Sequence, residues 1–126
     1  MKIAMCSIPV TNPVKAHQFF TEILKFQSYL YLPENQLAIV VAANDPKSTK
    51  LLLEPNDNSI SKNYQVGLYN KLIPAITLSV DDVFQEYHRL KQLSVTFLKE
   101  PTQQDWGIEN VFDDTCGNYI QLVQLS

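Results

Sequence analysis

The sequence predicts an α+β fold made of two βαβββ units. Three observations point there. Apolar positions switch from a period of two to a period near 3.6 and back, and they do so twice. The order strand, helix, three strands recurs, with Val10 falling on Val80, Asn12 on Asp82, Phe20 on Leu90 and Ile23 on Leu93. The last quarter, Trp106 to Leu122 (WGIENVFDDTCGNYIQL), reads as two strands around a tight turn, which completes the second copy.

The elements follow in order. Ile3 to Val10 alternates, with Ala4, Cys6, Ile8 and Val10 on one face and Ile3, Met5 and Ser7 on the other. Asn12-Pro13 starts a helix, asparagine as cap and proline at the first helical position. Ala16, Phe19, Phe20, Ile23 and Leu24 give that helix, about 13–25, an apolar stripe. Phe26–Leu32, Leu37–Ala43 and Leu51–Leu53 read as strands, separated by Pro33-Glu34-Asn35 and Asn44-Asp45-Pro46. Residues 56–63 are polar and read as a loop, and 64–73 as a connector. Ala75–Val80 is the next strand. Asp82, with Gln85 three residues on, caps a second helix at about 82–93. Val95–Leu98 reads as a strand and Pro101–Asp105 as a loop. In the final hairpin Asp113, Asp114 and Thr115 organise the turn and Gly117-Asn118 tolerates positive φ. The expected arrangement is one domain, 1–126, of modules 1–56 and 74–126 joined by a connector at 57–73.

Composition narrows the function classes. The chain has 126 residues, enough for a sizeable core. No apolar run reaches the roughly 18 residues of a membrane span, and the N-terminus lacks a signal-peptide h-region, so a cytoplasmic location is expected. Net charge is −3, Arg89 is the one arginine and the nine lysines are scattered, which argues against a nucleic-acid surface. No glycine-rich phosphate loop is present. Cys6 and Cys116 form neither a disulfide framework nor a Cys-x-x-Cys pair. Cys6 is expected to pack as a small apolar residue and Cys116 to be the more exposed.

Several segments carry a family likeness: SIPVTNPVKAHQFFTEIL, LLLEPNDN, AITLSVDDVFQEYHRLKQLSVTFLKEPT and VFDDTCGNYIQLVQ. The chain resembles the vicinal-oxygen-chelate superfamily of glyoxalases, bleomycin-resistance proteins and extradiol dioxygenases, and within it a bacterial glyoxalase-like subgroup. The resemblance implies curved mixed sheets with a groove on their concave faces, and a homodimer. In enzymes of this superfamily up to four side chains hold a divalent metal that polarises vicinal oxygens of the substrate. The matching positions here are Met5, Glu54, Ala75 and Gln121. A thioether suits copper(I) rather than Mn²⁺, Ni²⁺ or Fe²⁺, and alanine has no donor. No family-type metal and no cofactor are therefore expected. His17 and His88 fall on helices, away from the groove.

The alternation selects the groove residues. Met5, Ser7, Glu54, Ala75, Thr77, Tyr119 and Gln121 are expected to line it, with Trp106 near its mouth. Gln121 interrupts a buried strand, so its amide needs a partner or a cavity. Glu54 reads either as a general base or as a solvated strand end. Tyr64 and Tyr69 read as possible caps of the pocket or of an interface. The expected function is binding of a small amphipathic organic molecule without a catalytic metal. The alternative is a lyase-, isomerase- or dioxygenase-like enzyme using Glu54 as base or an atypical metal site.

Overall fold

The computed structural model describes residues 1–126, in two compact units, 1–65 and 66–126. Each has one four-stranded mixed sheet.

In the first unit β1 (Met5–Val10) runs parallel to β4 (Lys50–Pro55), β4 is antiparallel to β3 (Leu37–Val41), and β3 to β2 (Gln27–Leu32). Between β1 and β2 lies α1 (Pro13–Gln18), which continues as one π turn over Phe19–Ile23. Asn12 caps α1 as its side chain allows: Oδ1 accepts from the N–H groups of Val14 (3.0 Å) and Lys15 (3.2 Å). Ala16, Phe19 and Phe20 are buried on the helix, and Ile8, Val10, Ala38, Val40 and Leu53 on the sheet face that α1 covers. Truncating a side chain as buried as Phe20 costs roughly 3–5 kcal/mol. The expected face of the first strand is only half realised. Ile8 and Val10 are buried, but Ala4 precedes the strand and Cys6 is exposed.

The polar stretch after β4 corrects the loop expectation. Ser59–Asn70 is a helix, α2. Asn58 starts it by accepting from the Ser61 N–H (2.9 Å). Gln65, buried, anchors it: its Nε2 donates to the Pro9 carbonyl (2.7 Å) and its Oε1 accepts from Asn56 (2.7 Å). α2 is pinned by hydrogen bonds rather than by an apolar stripe, so hydrophobic periodicity does not reveal it.

In the second unit β5 (Ile76–Ser79) runs parallel to β8 (Tyr119–Leu125), which pairs antiparallel with β7 (Gly107–Asp113), and β7 with β6 (Thr102–Gln104). α3 (Val83–Gln92) is capped by Asp82, whose Oδ1 accepts from the Gln85 N–H (3.0 Å). Val83, Tyr87 and Leu90 are its buried residues, and α3 contacts β7 and β8. Phe112, Ile120 and Leu122 are buried on one sheet face. Val95–Leu98 does not form a full strand; it makes a single bridge, Phe97 to Phe112. The strand lies instead at Thr102–Gln104, read above as loop. Its residues are polar because it is an edge strand with exposed side chains.

The β7–β8 turn matches its expectation and corrects the cysteines. Asp114 is buried and accepts from the N–H groups of Cys116 (2.7 Å) and Asn118 (3.0 Å) and from the Asn118 amide (2.8 Å). Burial pushes its carboxyl above the ordinary value despite those bonds. Gly117 takes φ 95°. Cys116 is drawn fully inside this turn, so it is the buried thiol and Cys6 the exposed one.

Candidate functional site

The second sheet carries a polar network on the face opposite α3. Register sets it up: Thr77 pairs with Gln121, Gln121 with Val111, and Glu109 with Thr102 and Val123. Side chains two apart on a strand share a face, which puts Thr77, Gln121 and Glu109 together. Thr77 Oγ1 donates to Gln121 Oε1 (2.9 Å), and Gln121 Nε2 donates to Glu109 Oε2 (3.4 Å). Glu109 Oε1 takes an ion pair from Lys99 Nζ and a long bond from Gln104 Nε2 (3.5 Å).

Glu109 is only 5% exposed. Burial alone would raise its carboxyl. Lys99, then Gln121 and Gln104, outweigh that and hold it below the ordinary value, so it is ionised at neutral pH. The two amide bonds are at the long limit for hydrogen bonds, so Lys99 supplies most of the compensation.

Glu109 was not singled out by the sequence reading. Like Gln121, it is a polar residue inside an apolar-rich strand, GIENVF, and so needs a partner.

At one end of the same face Tyr119 pairs with Asp113. Tyr69 stacks on Tyr119, centroids 4.4 Å apart and planes 4° apart, and donates to Asp113 Oδ2 (2.6 Å). That hydrogen bond, chiefly, raises the Tyr69 hydroxyl well above its ordinary value. Tyr69 is thus tied to the sheet, whereas Tyr64 is exposed. Ala75 lies just before β5, its N–H donating to the Tyr119 carbonyl (2.9 Å). Trp106 sits in the two-residue turn between β6 and β7, 46% exposed, rather than on a strand face.

On the first sheet, Met5 pairs with Lys50, Ser7 with Leu52 and Pro9 with Glu54. Met5, Ser7 and Glu54 therefore share the face opposite Ile8 and Val10. Met5 and Ser7 are exposed; Glu54 is half-buried and forms no side-chain hydrogen bond. His17 belongs to the helical side, stacked on Tyr31 (3.8 Å) with Nε2 2.9 Å from Ser28 Oγ, and burial lowers its pKa. His88 is exposed on α3.

A family model, Glyoxalase/Bleomycin resistance protein/Dioxygenase superfamily, matches residues 2–122. The chain belongs to this superfamily. Among its relatives, the uncharacterized protein YurT of Bacillus subtilis (strain 168) is 41% identical, covering 98% of this chain and 99% of YurT. An uncharacterized protein of Shewanella frigidimarina (strain NCIMB 400) is 37% identical, covering 98% and 93%. Among solved structures, UcmS2 superposes with a TM-score of 0.81 at 26% identity, covering 98% of each chain. TnmS3, described as an antibiotic binding protein from Streptomyces sp. CB03234, gives 0.76 at 24% identity, covering 100% and 97%. The glyoxalase-like α+β fold is thereby established. No helix is long and apolar enough to cross a membrane.

The superfamily's metal can be tested against the residues present, and they do not fit it. Met5 offers a thioether and Ala75 nothing. Gln121 has one end of its amide on Thr77 and the other on Glu109. No group of three or more His, Cys, Asp or Glu side chains stands close enough together to hold a metal ion.

Proposed function

We propose that the chain acts as a single domain of two modules, 1–126, that binds a small amphipathic organic molecule without a catalytic metal. The observation that carries this reading is the Thr77–Gln121–Glu109–Lys99 network. A structural sheet face gains little from burying a carboxylate, since burial costs more than a solvent-exposed pair returns. A ligand site needs such a fixed polar group on a largely apolar surface. Tyr119 supplies aromatic surface beside it. Ala75 and Trp106 in the second unit are proposed as further contacts of that ligand, and Met5, Ser7 and Glu54, which share one face of the first sheet, as ligand-contacting residues of their own unit. The fold shared with TnmS3, which is described as binding an antibiotic, supports the same class.

A thermal-shift screen of metabolites and antibiotics tests the proposal. A ligand at 100 times its Kd adds about 2.7 kcal/mol. Hits should be lost in Gln121→Ala combined with Glu54→Ala and Trp106→Ala. Binding that survives the triple variant places the site elsewhere.

A second reading rests on Glu54, half-buried and without a hydrogen bond, which leaves it open to act as a base or to join an atypical metal site. Turnover of a hit, abolished in Glu54→Gln, would favour it. We also propose a homodimer, as is common among proteins of this size in the superfamily. Light scattering that reports only monomer at micromolar concentration removes that part.

A further inference from the structure

We infer that the second sheet's network recognises an oxygen acceptor, a carboxylate or carbonyl group, on the ligand's polar end. The inference rests on the ligand-binding reading above and gives it a chemical direction.

The direction follows from which donors and acceptors carry charge and stay reachable. Glu109 is ionised and can only accept. Gln121 must therefore turn its amide nitrogen toward Glu109 and its oxygen toward Thr77, which fixes an assignment that amide atoms leave ambiguous. The Thr77 hydroxyl hydrogen goes to that oxygen. Every hydrogen bond in the network thus runs toward Glu109, from Thr77 through Gln121, from Lys99 and from Gln104.

The charge that stays reachable is a donor, the Lys99 ammonium, while the acceptors left over outside buried Glu109, the Thr77 hydroxyl oxygen and the Gln121 and Gln104 amide oxygens, are neutral. Lys99 has an ammonium with three hydrogens and gives one to Glu109. Gln121 and Gln104 each have a second amide N–H. Lys99 is exposed, and Gln121 and Gln104 are half-buried, so none of the three residues is sealed from solvent. The carboxylate that would have attracted a ligand amine is covered by its own partners. A ligand ammonium would be repelled by the Lys99 charge and would find only neutral oxygens, whereas a ligand carboxylate would pair with Lys99 and take the second amide N–H groups. The bonds that hold Glu109 also fix the positions of these donors before a ligand arrives, which lowers the ordering cost of binding.

Naphthalene probes test this, with an apolar body held constant. 2-Naphthoate, 2-acetonaphthone and 2-naphthylmethylamine carry an acid, a ketone and an amine, and 2-methylnaphthalene carries none. Titration is followed by NMR at the side-chain amides of Gln104 and Gln121. The acid should bind at least ten-fold more tightly than the amine, with the ketone between them, and shift both amides saturably. Lys99→Met should lower the affinity for the acid about ten-fold relative to that for 2-methylnaphthalene. Lys99→Arg, which keeps donors beside Glu109, should retain the acid preference and guards against a Lys99→Met variant that folds poorly. If the probes bind but the amine equals or exceeds the acid, the donor reading is overturned while ligand binding stands. If no probe, including 2-methylnaphthalene, shifts any resonance of this face, the inference and the binding reading fall together.

Discussion

Replacing Gly107 by alanine would place a methyl group 2.1 Å from the backbone oxygen of Gln124 and 3.1 Å from its carbonyl carbon. Both atoms belong to the neighbouring strand, so no side chain can swing aside. The strand itself must move by about an ångström to restore ordinary contact. Gly107 pairs with Leu125, and the Ser126 N–H donates to the Trp106 carbonyl beside it. Those bonds open first, at roughly 0.5–1.5 kcal/mol each. The φ of +150° at Gly107 adds strain of order 1–3 kcal/mol for any residue with a Cβ. Together these give about 2–6 kcal/mol, or a fall in Tm of roughly 10–20 °C for a domain of this size. Calorimetry with urea unfolding measures it, and the urea slope should stay constant. Gly67→Ala is the matched control. It lies in α2 with nothing within 4 Å of the added methyl, and should gain up to about 1 kcal/mol from helix propensity. A Gly107→Ala protein melting within about 2 °C of the parent would refute the close-packing argument, since that is under 1 kcal/mol.

Two further outcomes follow from buried polar groups. Asn110 is fully buried with neither amide atom hydrogen-bonded, so Asn110→Leu should raise stability by about 1–3 kcal/mol; a lower Tm would mean the amide has a partner that matters. Glu109 titrates below its ordinary value of 4.5 in the folded chain, so its stabilisation is present above that value and lost as pH falls through the folded one. Glu109→Gln should flatten the acid limb of the stability curve, and an unchanged limb from about pH 5 downward contradicts the ion-pair account.

The legible parts of the sequence were those where local chemistry and periodicity agree. Asn12-Pro13 and Asp82 announce α1 and α3, and both caps form through the expected backbone bonds. The β7–β8 turn was legible because Asp114 and Gly117 each have a local job. What was illegible depends on distant partners. α2 is held by Gln65 reaching Pro9, 56 residues away, which no window of sequence contains. The apolar run Val95–Leu98 looks more strand-like than Thr102–Gln104. Yet the chain leaves α3 through Ser94 at φ 67° and pairs only at Phe97. On the candidate face, strand parity puts Tyr119, Gln121 and Thr77 on one side, as the register of β5 and β8 does. It missed Glu109 and Lys99, since Lys99 comes from an irregular segment with no parity at all.

The contrast between the two thiols gives the chain a built-in clock. Cys6 stands in solvent and should react with a thiol reagent at once, whereas Cys116 is enclosed by the turn that Asp114 holds. Modification of Cys116 must wait until that turn opens. The ratio of its rate in the native protein to its rate in urea then reports the free energy of that local opening, separately from global unfolding. A two-phase labelling trace would thus read the firmness of one hairpin end without any added probe.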